Sequence, residues 1–195
     1  MDNYPYIIAS LPDLVQPGAP QSFDYEGVSA FIRSQLSAAD CRKIDWLEAG
    51  FTPKYIRHHF YRFVARSRSR FLRDYFAFDE AVRKAKVAFL QGEPVTPDAF
   101  EEAPALIAIF ACKDIIGRER QLDQLYWEKA SDLVRDHLFD MDVILSFLVH
   151  AALVQRWNAL DPETGRKLFA DLVSEVRGTF KGVEFDTDTP EKKTN

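Results

Sequence analysis

Along most of the chain, apolar residues return every three or four positions, which is the period of one face of an α-helix and not of a half-buried strand. Between Glu26 and Leu36 this spacing is carried by Val28, Phe31, Ile32 and Leu36. Ser37-Ala38-Ala39-Asp40 reads as the start of the next helix. Its serine can accept from a free first-turn N–H, and its acid suits the positive helix end. Gly50, a residue suited to a left-handed cap, predicts where that helix stops. Beyond Pro53, no glycine or proline occurs as far as Leu90. There Val64, Phe71, Phe78 and Ala85 repeat every seven residues, with Tyr75, Val82 and Phe89 as a second such row. The pattern predicts one long helix, about Pro53 to Leu90, with a seam for packing along another helix. A straight helix of that extent would run on the order of 55 Å, long enough for a compact domain to kink it.

Gln91-Gly92-Glu93-Pro94-Val95-Thr96-Pro97 is the clearest punctuation. Thr96 as cap, with Pro97 at the first helical position, predicts a shorter helix or a pair of turns through Ile107–Ile109 to Ile116, ending at Gly117. Arg118 to His137 carries Leu122, Leu125, Tyr126, Leu133 and Val134 on one side. Asp140 opens an apolar helix to Leu160, and Asp161-Pro162-Glu163 opens a last one with Leu168, Phe169, Leu172, Val173 and Val176. A buried C-terminal helix hairpin is expected. The apolar Tyr6 to Leu14 segment fits either structure type, and Gln16-Pro17-Gly18-Ala19-Pro20 predicts a loop after it. No period-two strand and no internal repeat is visible. The fold class is therefore all-α: a multi-helix bundle in a single domain over 1–178, with a sub-boundary near 91–97. A polar, flexible tail is expected over 179–195.

Composition supports a folded core. Of 195 residues, 47% are apolar and 13% aromatic, including 16 Phe, far from the signature of disorder. A formal charge of -5 argues against a general affinity for nucleic acid or anionic membrane. Cys41 and Cys112 stand far apart with no ligand-spaced partner, as expected of buried free thiols in a reducing compartment. The opening MDNYPY lacks the positive region of a signal peptide. The most apolar run, Val143 to Val154, is about a dozen residues and too short to span a bilayer.

The constellations of enzyme chemistry are missing: there is no GxGxxG, GxxxxGK[ST], GxSxG or HExxH. His58 and His59 are adjacent and diverge on a helix, and His137 follows Asp136 at a spacing that does not face it. His150, inside the apolar run, is expected to be a core histidine bonded to a carbonyl. Paired acids such as Asp79-Glu80 and Glu101-Glu102 are sequence neighbours of the solvated-face kind. The expectation is a protein that is not an enzyme, with no cofactor and no metal site.

One segment breaks the acidic pattern. Lys54, Arg57, Arg62, Arg66, Arg68, Arg70 and Arg73 lie in a stretch without a single acid. On a wheel with Val64 at zero, Arg62, Arg66 and Arg73 fall at about 160°, 200° and 180°, with Arg70 at about 240°. They form a basic stripe opposite the seam. Arg57 and Arg68 project to the seam side, where ion pairs with buried or partner carboxylates are expected. The plain reading of this segment is a solvated helix face, which charge runs usually are. The functional reading is a partner-binding face, because guanidinium forks suit carboxylates and phosphates. An acidic protein surface is favoured over nucleic acid, since no recognition motif or exposed aromatic platform is expected beside the arginines. The alternative is a helical adaptor that binds nucleic acid or an acidic regulatory partner through the same arginines.

Several blocks together resemble a family. Tyr6-Ile7-Ile8-Ala9-Ser10-Leu11-Pro12-Asp13-Leu14 is similar to the opening of an uncharacterised bacterial family encoded among V/A-type ATPase genes. Leu36-Ser37-Ala38-Ala39-Asp40, Phe71-Leu72-Arg73-Asp74-Tyr75-Phe76-Ala77-Phe78, Leu122-Asp123-Gln124-Leu125-Tyr126-Trp127 and Arg156-Trp157-Asn158-Ala159-Leu160-Asp161-Pro162-Glu163-Thr164-Gly165 follow in the same order. That family looks distantly similar to the C (d) subunit of rotary V/A-type ATPases, a helical funnel seated on the rotor ring. The resemblance implies an all-α, non-catalytic subunit or accessory factor that docks the central stalk to the membrane rotor. It implies stalk or rotor subunits as partners, without insertion into the bilayer. The implied place is the cytoplasm, or the cytoplasmic face of the membrane through the ATPase. It supplies no catalytic residues.

Overall fold

The computed structural model describes residues 3–16, 21–160 and 162–179. Among them it contains nine helices and no strand, so the protein is all-α. The helices are α1 (Tyr4–Ala9), α2 (Tyr25–Ser34), α3 (Ala38–Phe51), α4 (His58–Val64), α5 (Arg70–Leu90), α6 (Ala103–Phe110), α7 (Ile115–Asp132), α8 (Met141–Asn158) and α9 (Pro162–Thr179). Of the ambiguous N-terminal apolar segment, the part up to Ala9 is helical as α1, and residues 11–14 belong to no helix. The expected loop over 17–20, the opening Asp161 and the expected tail from 180 onward lie outside the described residues. Contacts divide the chain into two units, Met1–Asn158 and Ala159–Asn195, so the division falls after Asn158 and residues 91–97 lie inside the first unit.

Side-chain caps set most helix starts. Ser37 accepts from the Asp40 N–H at 3.2 Å, as its sequence context predicts. Asp24 does the same for Gly27, and Asp140 accepts from Asp142 and Val143 at the start of α8. Each bond satisfies a first-turn donor that has no partner within the helix.

The single long helix predicted from Pro53 to Leu90 is two helices, α4 and α5, broken over 65–69. No glycine or proline makes the break. Ser69 Oγ accepts from the Leu72 N–H at 3.3 Å, Ser67 Oγ accepts from the Ser69 N–H at 3.2 Å, and Arg73 Nη1 donates to the Ser67 carbonyl at 2.7 Å. These local bonds satisfy backbone groups that a continuous helix would otherwise pair. Three smaller boundaries also differ. Gly50 lies within α3, where a Cβ would sit 2.2 Å from the Phe76 ring. It permits a close approach of α5 and is not a left-handed stop. Gly117 belongs to the first turn of α7, because Asp114 caps there by accepting from the Ile116 and Gly117 N–H groups. Thr96 closes a turn onto Ala99 and does not cap a helix, and α6 starts only at Ala103, with Pro104 in its first turn.

α5 runs through two apolar clusters. In the first, Phe71, Tyr75 and Phe76 pack with Ile7, Ile32, Ile44, Leu47 and Phe60, and with Ile144, Leu145 and Leu148 of α8. In the second, Phe78, Val82 and Ala85 meet Leu106, Ile109, Phe110 and Leu122. The sevenfold seam is thus covered within the chain. A buried helix hairpin is formed by α7 and α8. α8 packs against α1, α2, α3 and α7 and buries both of its flanks, from Met141 to Val154. In the second unit, Leu168, Phe169, Leu172 and Val176 of α9 are exposed. Among the described residues, no helix is long and apolar enough to cross a membrane.

Candidate functional site

Because the long helix is broken, the basic segment is spread over two helices and the loops before and between them. Arg57 precedes α4, Arg62 lies on it, Arg66 and Arg68 occupy the connecting loop, and Arg70 and Arg73 open α5. The stripe drawn on one continuous wheel therefore does not exist as a single helical face. The structure also separates the roles of its members. Arg62 and Arg66 are exposed and have no ion-pair partner among the described residues. Arg70 is exposed and pairs with Asp74 at 3.3 Å, an i,i+4 contact of small energetic weight. Arg73 is half-buried and holds the α4–α5 loop through the Ser67 carbonyl, which makes it a structural residue. Arg57 and Arg68 do not pair on the seam side. Both are exposed, since the break removes the helical register that aimed them inward.

The expectation that no exposed aromatic accompanies these arginines is overturned. Tyr55 is 57%, Phe63 60% and Trp46 42% exposed. The Trp46 and Phe63 rings lie 6.2 Å apart, which joins α3 to α4 at the surface. Sequence reasoning missed this pair because Trp46 and Phe63 were assigned to separate helices with no means of placing one against the other. Phe63 next to Arg62 and one turn before Arg66 was the available signal.

Acidic side chains that resembled solvated pairs or anonymous family landmarks are instead internal ties. Asp79 is buried and accepts from Tyr61 Oη at 2.7 Å, Tyr126 Oη at 2.8 Å and Arg83 Nε at 2.8 Å. Asp123 is buried and accepts from Arg156 Nη1 at 2.6 Å and Trp157 Nε1 at 2.7 Å, so it binds α7 to the end of α8. Burial pushes its carboxyl up from the usual range against the pull of Arg156. Burial acts likewise on Asp40, but bonds from Lys43, Ser37 and Tyr4 outweigh it and hold the group low. Among the described residues, no group of three or more His, Cys, Asp or Glu is placed to hold a metal ion. Cys41 and Cys112 are free and half-buried.

His150 makes the carbonyl contact expected from its sequence context, from a half-buried position. Its ring stacks on Trp127 at 3.8 Å, and Nε2 lies 3.1 Å from the Trp127 carbonyl. Burial lowers its pKa to about 4. A folded value below the unfolded value of about 6.5 means that the unfolded chain binds the proton first. The stabilising effect of a neutral His150 is complete above about pH 6.5 and is lost as pH falls toward 4, a change of up to roughly 3 kcal/mol. Urea titrations at pH 7 and near pH 4.5 are expected to show this loss in the native chain. In His150→Gln the drop over that interval should be markedly smaller, and an equal drop would place the sensitivity elsewhere.

These observations define a helical protein with a basic, aromatic-bearing surface and polar ties inside. Residues 96–179, from the loop before α6 through α9, match the family described as "Protein of unknown function (DUF2764)". This stretch contains the Asp123–Arg156–Trp157 tie and the Trp127–His150 stack. No curated protein and no solved structure matches the chain.

Proposed function

We propose that the protein is a non-catalytic docking component, a subunit or an accessory factor of a V/A-type rotary ATPase. Its exposed arginines meet acidic residues on a stalk or rotor partner. The observation that carries the docking role is the set Arg57, Arg62, Arg66 and Arg68, all exposed and all without an ion pair among the described residues. Cations left uncompensated in a chain of net charge -5 are suited to an external carboxylate. The assignment to the ATPase is supported by the ordered sequence blocks that resemble the ATPase-linked family.

The test is affinity purification of the tagged protein from native membranes and cytosol, with mass spectrometry of the co-purifying proteins. ATPase stalk or rotor subunits are expected with the native chain and not with an Arg62→Glu, Arg66→Glu, Arg68→Glu variant. Arg73 is left intact because it braces the loop, and exposed reversals of this kind change stability by only about 0.5 kcal/mol. If the native chain recovers no ATPase subunit, the assignment fails. If the variant still recovers them, the arginines are not the contact.

A further inference from the structure

We propose that Trp46 and Phe63 are the aromatic anchor of this docking surface, rimmed by Arg42, Arg62 and Arg66. Its occupant is an acidic protein segment that carries an apolar or aromatic side chain. The proposal rests on the docking role above but not on the identity of the ATPase.

On α3, Arg42 lies one turn before Trp46 and shares its face. On α4, Arg62 adjoins Phe63, and Arg66 follows in the loop just after the helix. The Trp46 ring also lies 6.1 Å from that of Phe60, which is buried and packs edge-on against Phe76 at 4.9 Å. The exposed pair is thus mounted on the core. Rings held in this way lose little conformational freedom on binding, the usual property of an interface anchor. An aromatic centre with an arginine rim is also the composition that distinguishes interfaces from ordinary surface.

Local charge points to an acidic occupant. Arg42, Arg62 and Arg66 are exposed and have no ion-pair partner among the described residues. The nearby acids of α3 are engaged elsewhere: Asp45 and Glu48 each lie 2.7 Å from Arg33, and Asp40 is held by Lys43 at 2.6 Å. A protein segment is favoured over a polynucleotide for a reason of range. Screening confines the attraction to about 10 Å, so a short acidic segment meets only the patch. A longer polyanion also meets the chain's negative remainder.

The test measures fluorescence anisotropy of labelled probes with the full chain. The probes are a random Glu–Tyr copolymer, polyglutamate and an oligothymidine single strand. The copolymer is expected to bind about tenfold more tightly than polyglutamate. Phe63→Ala should remove that advantage and leave polyglutamate binding unchanged. Arg42→Glu with Arg66→Glu should weaken both. Trp46 touches the core, so the exposed Phe63 is the primary substitution, and circular dichroism verifies the fold of each variant. Equal affinity for copolymer and polyglutamate, or no effect of Phe63→Ala, overturns the anchor. Tighter binding of oligothymidine, lost with the same arginines, overturns the protein occupant in favour of nucleic acid. Absence of the copolymer preference in the native chain, with intact ATPase recovery, defeats the anchor alone. An intact preference with no ATPase subunit recovered defeats the ATPase assignment alone.

Discussion

Replacing Asp79 by alanine is expected to destabilise the fold by about 3–5 kcal/mol, the range for breaking a buried charged network by removing one partner. Asp79 is 3% exposed and accepts from side chains of three helices: Tyr61 on α4, Arg83 on its own α5 and Tyr126 on α7. Burial, reinforced by the neighbouring Asp79 carboxylate, raises the pKa of both tyrosines, so their hydroxyls remain donors. Alanine strands those two hydroxyls, and a donor left without an acceptor costs more than the bond itself contributed. Adding Tyr61→Phe and Tyr126→Phe to Asp79→Ala should therefore recover part of the loss. Urea unfolding followed by circular dichroism measures both variants. A single-variant loss below about 1 kcal/mol, or a further loss in the triple variant, would show that the tie does not hold α4 and α7 to α5.

Phe71→Ala carries the second large effect, also about 3–5 kcal/mol for a buried aromatic truncated in a packed core. Phe71 is 2% exposed, and its ring stacks on Tyr75 at 5.7 Å within the cluster built on α8. The surrounding helices are too interlocked to close fully over the resulting void. The same unfolding assay should register less than about 1 kcal/mol for the exposed Phe63→Ala, which makes it an internal control. A loss that small at Phe71 would mean that the sevenfold seam faces a partner in solution.

Much of the architecture was legible from local pattern. The 3.6-residue period identified an all-α chain, the Ser37 cap was read at its place, and the Val143 to Val154 run was recognised as a buried helix. These features depend on residues within a turn or two of one another. The candidate surface was half legible. Charge counting found the arginines, but their common face assumed a continuous helix, and serine bonds broke it where no glycine or proline gave warning. The aromatic half was missed because Trp46 and Phe63 meet only when α3 and α4 pack.

By itself, the sequence determined helical periodicity, the helix starts at Ser37 and Asp140, the burial of the α5 and α8 faces and the local excess of arginine. Those follow from hydrogen bonds and side-chain spacing within single segments. Only the tertiary structure decided that Gly50 serves the approach of Phe76, that Asp79 and Asp123 are internal ties, and which arginines remain unpaired. Each of these depends on groups far apart in the chain that packing brings within a few ångströms. The free energy of such a meeting comes from burial and pairing across helices, which no spacing along one helix encodes.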